Sequence, residues 1–264
     1  MTTISQLVAV AAFAVLVAAS SPIALGQAAQ DSSGVSQFTA YLKAANEGNA
    51  QAQLLVGLSY KGGRGVPRNL TEATRWYRRA ADQGNSAAQS FLGVMYKDGE
   101  GVTANDAEAV RWYRLAAIQG VALAQLDLGV FYATGRGVDR NVAEAVKWFR
   151  LSAAQGISTA QFNLGKAYAE GLGVPKNDAD SAKWYRLAAD QGDAGAQYQL
   201  GYRYFEGKGV PKSDTEAYFW WNLAAAKGFG NADVVRDLIE DKLSREQIAE
   251  AQRRSAAWKL KTKE

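Results

Sequence analysis

The hydrophobic and polar positions of the chain repeat with a period of 36 residues between Ala52 and Asn231. Alanine, glycine, tyrosine and tryptophan recur at this spacing through five successive units, without an insertion or a deletion. The four clearest columns are Ala52, Ala88, Ala124, Ala160 and Ala196; Gly57, Gly93, Gly129, Gly165 and Gly201; Tyr60, Tyr96, Tyr132, Tyr168 and Tyr204; and Trp76, Trp112, Trp148, Trp184 and Trp220. A fixed period of this length is typical of repeat proteins, in which each unit is one supersecondary element.

Each unit predicts two helices. In the first helix, Ala52, Val56 and Tyr60 recur every four residues and so share one face. A Gly-x-Gly-Val segment follows, and we expect its first glycine to end the helix in the left-handed conformation. The second helix opens on a predicted capping box, in which the cap and the third helical residue bond each other's amides. The five boxes are Asn69…Glu72, Asn105…Glu108, Asn141…Glu144, Asn177…Asp180 and Ser213…Glu216.

The glycine of the Gly57 column lies inside the first helix, where glycine costs about 1 kcal/mol relative to alanine. Its recurrence in five units indicates that a large neighbour excludes a side chain from this position. We expect that neighbour to be the tryptophan of the Trp76 column.

The N-terminus differs from the rest of the chain. Residues 1–30 contain no charged side chain, and residues 7–19 are an unbroken apolar run followed by small residues at Ala24 and Gly26. This pattern is typical of a secretory signal peptide and its cleavage site. A helix of that length spans about 20 Å, less than the roughly 30 Å of a bilayer core. We expect cleavage near Gly26, export to the periplasm or beyond the cell, and no membrane span afterwards; an uncleaved anchor is the alternative.

Composition excludes several kinds of chemistry. The chain has no histidine and no cysteine, which removes histidine-based triads, thiolate nucleophiles and zinc fingers. Any metal would have to be a hard cation held by oxygen. Its net charge of +4 is modest for 264 residues and does not indicate a nucleic-acid partner. We expect no cofactor and no metal.

The recurring motif Ala-Gln-x-x-Leu-Gly-x-x-Tyr-x-x-Gly-x-Gly-Val, followed by Ala-x-x-Trp-Tyr-x-x-Ala-Ala-x-x-Gly, resembles the Sel1-like repeat, a short α/α repeat related to the tetratricopeptide repeat. The resemblance implies an all-α fold: a right-handed α/α superhelical solenoid of five 36-residue helix-pair repeats, with an N-terminal half-repeat and C-terminal capping helices. It also implies a concave surface that binds other proteins.

These features divide the chain into a signal peptide (1–26), an N-terminal half-repeat or cap (27–51), five repeats, and C-terminal capping helices with a basic tail (232–264). The repeats are 52–87, 88–123, 124–159, 160–195 and 196–231. Helices near 233–242 and 245–258 are expected to cover the last repeat. We expect the protein to be a monomer.

The columns at positions 54, 58 and 61 lie about 100° from the core face of the first helix and vary between units. Matching positions line the concave groove of the related tetratricopeptide repeat, so we predict that a protein or peptide partner binds here. Contact between adjacent helices is the alternative for each residue. The predicted groove residues are Leu54, Leu58, Val94, Leu126, Val130, Phe162, Lys166, Tyr198, Tyr202 and Phe205.

Cations also recur on the second helices, at Arg75, Arg111, Lys147 and Lys183, and three residues later at Arg78, Arg114, Arg150 and Arg186. They could bind an anionic partner, but an acid three residues before each first cation favours ordinary helical ion pairs.

Three other functions compete with a noncatalytic binding scaffold. Some cysteine-rich secreted relatives are linked to penicillin binding or hydrolysis, which suggests a secreted hydrolase acting on cell wall or penicillin-like substrates. This chain lacks their cysteines and has no Ser-x-x-Lys motif. A glycan-binding module is the second alternative. The third, an RNA-binding repeat, is disfavoured because such arrays are more basic and read bases with variable polar side chains. We therefore predict an exported, noncatalytic scaffold that binds another protein.

Overall fold

The computed structural model describes residues 27–261 and the side chains of residues 33–258, so the predicted signal peptide lies outside the described residues. Within them no helix is both long and apolar enough to cross a membrane. The described part contains no β-strand; it consists of α-helices and one 3-10 helix, Glu240–Lys242. The α-helices are α1 (Gln27–Asn46), α2 (Ala50–Gly62), α3 (Leu70–Asp82), α4 (Ser86–Asp98), α5 (Asp106–Ile118), α6 (Ala122–Thr134), α7 (Val142–Ala154), α8 (Ser158–Glu170), α9 (Asp178–Asp190), α10 (Ala194–Glu206), α11 (Asp214–Ala225), α12 (Ala232–Asp237) and α13 (Arg245–Lys261).

The described residues divide into two compact units, one that ends at Gln119 and one that begins at Gly120. In the first unit, α2 pairs with α3 and α4 pairs with α5, while α1 packs on α2. In the second unit, the pairs are α6 with α7, α8 with α9 and α10 with α11. The predicted all-α architecture of consecutive helix pairs is confirmed.

Two glycines shape the loop inside each repeat. The first of them ends the first helix in the left-handed conformation, as predicted; Gly99, for example, has a φ of 70°. The second combines a left-handed φ with a close approach, because a Cβ on Gly101 would lie 2.3 Å from the carbonyl oxygen of Leu70. This loop therefore packs directly on the first turn of the preceding second helix.

The second helices begin at asparagine or serine caps, but the reciprocal half of the predicted capping box does not form. The Asn69 side chain accepts a hydrogen bond from the Glu72 amide at 3.1 Å, as expected. The Asn69 amide, however, donates to the Tyr60 carbonyl oxygen of the preceding helix at 2.9 Å. This bond satisfies a carbonyl in the last turn of that helix, and it recurs in all five repeats. A reciprocal box forms instead at Ser244 and Gln247, before α13.

The glycine inside the first helix makes room for an aromatic ring, but the ring is not the tryptophan. A Cβ on Gly93 would lie 2.5 Å from the Tyr113 ring, and one on Gly129 would lie 2.6 Å from the Phe149 ring. The residue directly after each tryptophan therefore occupies this space, since consecutive helical residues point about 100° apart. The rings over the five glycines belong to Tyr77, Tyr113, Phe149, Tyr185 and Trp221.

A buried glutamine on the first helix joins three segments of the chain. The Nε2 of Gln161 donates to the Ala153 carbonyl oxygen at 3.2 Å, and its Oε1 accepts from Gln191 Nε2 at 2.8 Å. The same two bonds recur at Gln53 and Gln89. In the last repeat Lys227 takes the place of the second glutamine, and Gln197 Oε1 is buried without a hydrogen-bond partner among the described residues.

The C-terminal segment covers the last repeat, as expected, with helices at α12 and α13. The guanidinium of Arg254 lies 4.4 Å over the Phe219 ring, and Trp258 meets that ring edge-on at 6.3 Å. Asn222 donates to the Ser255 hydroxyl at 2.6 Å. Phe219 and Asn222 occupy the two cation positions of the fifth repeat. The cation columns therefore stop where α13 packs on the repeat.

Candidate partner-binding surface

Several predicted groove residues belong mainly to the core. Leu54, Val94 and Leu126 are 5%, 7% and 6% exposed. Leu54 and Leu126 lie inside the apolar clusters formed with the second helices, and Leu58 and Val130 are half-buried against the same clusters. Contact between adjacent helices, the alternative interpretation, accounts for the position of these side chains.

The second unit holds the aromatic groove residues in fixed positions. Phe162, Tyr198, Tyr202 and Phe205 are half-buried and pack on its core. On α10, the Tyr198 and Tyr202 rings meet edge-on at 5.0 Å. The Trp221 ring supports Tyr202 at 5.0 Å and Phe205 at 5.7 Å, and its Nε1 donates to the Tyr198 carbonyl oxygen at 3.0 Å. Contacts with Trp221 therefore hold the aromatic side chains of α10 in place, while their rings remain partly exposed to solvent.

Phe229, which the sequence reasoning missed, extends this row. Its ring lies 5.7 Å from that of Tyr198, and the residue is 39% exposed. Gly195 lies between the rings, because a Cβ there would be 3.2 Å from Phe162 and 3.3 Å from Phe229. The sequence does contain a signal for Phe229, because the repeat pattern changes there to an aromatic residue. The matching residues of the other repeats are Asn85, Val121, Ile157 and Asp193. We call the following residues the aromatic surface: Phe162, Tyr198, Tyr202, Phe205 and Phe229.

The aromatic surface is uncharged but has cations beside it. The ammonium groups of Lys212 and Lys242 lie 5.8 Å and 4.9 Å from the centre of the Phe205 ring. Lys166, the remaining groove residue, is exposed on α8. Burial raises the pKa of Tyr202 to about 12, and its hydrogen bond with Tyr198 adds to the shift. The Tyr202 hydroxyl is therefore neutral at physiological pH.

The first cation column forms the helical ion pairs that the sequence favours. The pairs join Arg75 to Glu72 at 2.6 Å, Arg111 to Glu108 at 3.4 Å and Lys147 to Glu144 at 2.8 Å. This interpretation is confirmed for the first three repeats.

The second cation column connects one repeat to the next. The guanidinium of Arg78 lies 4.8 Å over the Trp112 ring and donates to the Tyr96 hydroxyl. Arg186 makes the same two contacts with Trp220 and Tyr204. These arginines stabilise the packing between repeats inside each unit, a role that spacing alone did not indicate.

The described residues contain no cluster of three or more acidic side chains arranged to hold a metal ion. Many carboxylates lie instead in the first turns of the second helices, where Glu72, Glu108 and Glu144 form ion pairs.

A protein-family model described as Sel1 repeat matches five consecutive segments, 50–85, 86–121, 122–157, 158–193 and 194–229. These segments follow one another without a gap, begin two residues before the repeats defined from the sequence, and cover more than half of the chain. The chain belongs to the Sel1 repeat family. Sel1 repeat proteins are generally scaffolds for protein interaction and are typically noncatalytic.

Two solved structures are similar to this Sel1 repeat protein. A Sel1 repeat protein from Oxalobacter formigenes is 35% identical, with a TM-score of 0.67 over 77% of this chain and 59% of its own. A protective antigen present in uropathogenic Escherichia coli strains, described as displaying an SLR fold, is 34% identical, with a TM-score of 0.53 over 83% of this chain and 56% of its own. The chain thus spans less than two thirds of either relative. A search of the curated proteins finds no match.

Proposed function

We propose that this Sel1 repeat protein is an exported, noncatalytic adaptor that binds a protein or peptide segment on its aromatic surface. The observation that carries the proposal is the anchoring of Tyr198, Tyr202 and Phe205 by Trp221 while their rings stay partly exposed. Rings that are already held in place lose little conformational freedom on binding. Aromatic side chains of this kind dominate the energetics of protein interfaces.

The chemistry of the surface indicates which segment it would take. Uncharged aromatic rings favour an apolar or aromatic segment, such as one face of an amphipathic helix. Lys166, Lys212 and Lys242 favour acidic residues beside that apolar face. An envelope signalling or assembly protein with such a segment is the proposed partner.

Export is supported by the uncharged N-terminus with its apolar run at residues 7–19. The similar Escherichia coli protein is described as a protective antigen, and a location outside the cytoplasm agrees with that description. Expression of the full chain with a C-terminal tag, followed by N-terminal sequencing, tests this step. A mature protein that begins near Gln27 supports export, and one that begins at Met1 contradicts it.

Site-specific photocrosslinking in the cell tests the binding surface. A photoreactive residue replaces exposed Lys166 beside the aromatic surface, and in a matched variant it replaces Leu187, which is 39% exposed on a second helix of the same unit. We expect a crosslinked partner from position 166 and none from position 187. A partner captured from position 187 alone, or from neither position, would contradict the proposed surface.

A second variant tests whether the rings carry the affinity. Phe162→Ser combined with Tyr202→Ser should abolish the crosslink from position 166, because it removes two rings of the aromatic surface. Leu187→Ser is the control for loss of an apolar side chain. Both proteins must first show wild-type helical circular dichroism, so that lost binding is distinguished from lost folding.

A further inference from the structure

The first repeat carries a pocket of about 420 Å³ between α3 and the loop that follows α4. Three arginines of α3 line it, Arg75, Arg78 and Arg79, together with Thr71, Thr74 and Tyr96. All six residues belong to the first compact unit. No carboxylate side chain lines this pocket.

Three of these positions are polar in the first repeat and apolar in the three repeats that follow. The Thr71 position is occupied by Ala107, Ala143 and Ala179. The Thr74 position is occupied by Val110, Val146 and Ala182, and the Arg79 position by Leu115, Leu151 and Leu187. The family fold therefore does not need polar groups here. Their joint appearance around one pocket indicates a ligand specific to the first repeat.

The arginines are held so that their donors remain usable. The guanidinium of Arg79 lies 4.4 Å over the Trp76 ring, and that of Arg78 lies 4.8 Å over the Trp112 ring. Stacking occupies the faces of a guanidinium and leaves the N–H groups at its edge. Arg78 donates one N–H to Tyr96, and within residues 33–258 the guanidinium of Arg79 has no ion pair or hydrogen bond.

Two of the nearby carboxylates, Glu72 and Glu100, have their own partners, and the three arginines leave an excess of positive charge in the pocket. Glu72 pairs with Arg75 at 2.6 Å, so this one guanidinium is partly neutralised. The Glu100 carboxylate pairs with Lys61 at 2.9 Å. Planar guanidinium forks match the oxygens of phosphate, which accepts several charge-assisted hydrogen bonds at once.

We propose that this pocket binds a phosphate group, either as inorganic phosphate or as the phosphate monoester of a small molecule. Arg79 and Arg78 donate to the phosphate oxygens, Arg75 adds charge at the rim, and the exposed Thr71 hydroxyl donates from the first turn of α3. Thr74 shapes the wall, since its hydroxyl already donates to the Leu70 carbonyl oxygen at 2.9 Å. This site is separate from the aromatic surface and does not depend on it.

The tryptophan under Arg79 provides a local reporter. The full chain is labelled with 5-fluorotryptophan, the Trp76 signal is assigned with Trp76→Phe, and the protein is titrated with inorganic phosphate and with O-phosphoserine at constant ionic strength. We expect a saturable shift of the Trp76 fluorine signal. Tighter binding of O-phosphoserine identifies a monoester as the ligand, and equal binding identifies phosphate itself; both outcomes support the site.

Two substitutions remove the site by restoring the residues of the other repeats. Arg79→Leu should weaken phosphate binding by about tenfold or more, the effect of losing a charge-assisted hydrogen bond. Thr71→Ala should weaken it by less, and it serves as the second variant if Arg79→Leu alters folding. Arg253→Leu on α13 removes the same charge from an exposed site and should change binding by less than about twofold.

The proposal is overturned if neither probe gives a saturable shift, or if Arg79→Leu and Thr71→Ala bind as tightly as the wild type. It is equally overturned if Arg253→Leu weakens binding as much as Arg79→Leu, because attraction would then reflect net charge rather than a site. Circular dichroism of each variant establishes that the comparison is between folded proteins.

Discussion

At the scale of single residues, the pairing of one glycine with one ring determines how the two helices of a repeat meet. The glycine of α6, Gly129, faces Phe149 of α7 so closely that a methyl group would lie 2.6 Å from the ring. Glycine is unfavourable inside a helix, so its presence in five repeats reflects the space that the ring requires. The helix is weakened locally, and the pair of helices gains a close contact.

A double-mutant cycle at Gly129 and Phe149 tests this pairing. Gly129→Ala should lower the free energy of unfolding by about 1–3 kcal/mol, because the methyl group overpacks the interface. In a Phe149→Ala background the same change should be neutral or stabilising by up to about 1 kcal/mol, since alanine is the better helix former. Urea unfolding of the four proteins measures both values. A similar loss in both backgrounds would show that the ring is not the obstacle.

The raised pKa of Tyr185 predicts that the folded protein loses stability at alkaline pH. Burial raises its pKa to about 12, although the positive charge of Arg203 opposes the shift. An unfolded tyrosine titrates near 10. The contribution of Tyr185 to stability is therefore complete below pH 10 and is lost as the pH rises towards 12, because the unfolded chain releases its proton first.

Tyr185→Phe isolates this contribution. The wild type should lose more stability than the variant between pH 10 and 12, measured by urea unfolding at each pH. Below pH 9 the difference between the two proteins should not depend on pH. Absorbance of tyrosinate in the folded wild type provides the control, and a parallel loss of stability in both proteins would contradict the assignment to Tyr185.

At the scale of helices, hydrogen bonds from side chains and caps join consecutive elements. The Asn69 amide bonds to the last turn of α2. The glutamines of the Gln53 column bond both to a carbonyl oxygen in the last turn of the preceding helix and to the glutamine after the second helix. These bonds are made between elements, so they fix how helices meet rather than whether each helix forms. The fifth repeat lacks one of them, at Gln197.

Exchanging residues between the fourth and fifth repeats tests the glutamine pair. Lys227→Gln should raise the free energy of unfolding by about 0.5–1.5 kcal/mol, because it supplies a donor for the buried Gln197 oxygen. The reciprocal change, Gln191→Lys, should lower it by at least a similar amount, since Gln161 Oε1 loses the donor that now lies at 2.8 Å. Thermal unfolding measures both shifts, and shifts of the same sign would contradict the argument.

At the scale of the whole molecule, the repeat period predicts nearly all of the helices but fewer of their contacts. Helix boundaries follow local signals, such as glycine after the first helix and asparagine before the second. The ring over each glycine was assigned wrongly because Trp76 and Tyr77 are adjacent, and only the packing angle of the two helices decides which ring faces the glycine. Leu54 was predicted to line the groove but is buried, because its exposure depends on the neighbouring helix. Tyr198 and Tyr202 of α10 were predicted in the same way, and they are partly exposed.

The same scale explains why the chain needs α13. In a repeat protein each unit contacts its neighbours, so a terminal unit exposes an apolar face unless a cap covers it. Phe219 and Trp220 are buried beside Trp258 and Arg254 of α13. In the fourth repeat the positions that match Phe219 and Asn222 carry Lys183 and Arg186. The fifth repeat therefore lacks the charged surface of the fourth, and its apolar surface is stable only when α13 packs on it.

Ending the chain at Leu243 removes this cover and should destabilise the last repeat alone. Burial of one large aromatic side chain contributes roughly 1.5–3 kcal/mol, so hydrogen exchange in α11 should become at least about tenfold faster. Exchange in α2–α5, which belong to the other compact unit, should not change. The shortened chain should also be less soluble, because it exposes Phe219. Adding Phe219→Lys and Asn222→Arg should limit this loss of solubility, because these residues give the fifth repeat the charged surface of the fourth. Faster exchange throughout the protein would instead mean that α13 stabilises the chain as a whole.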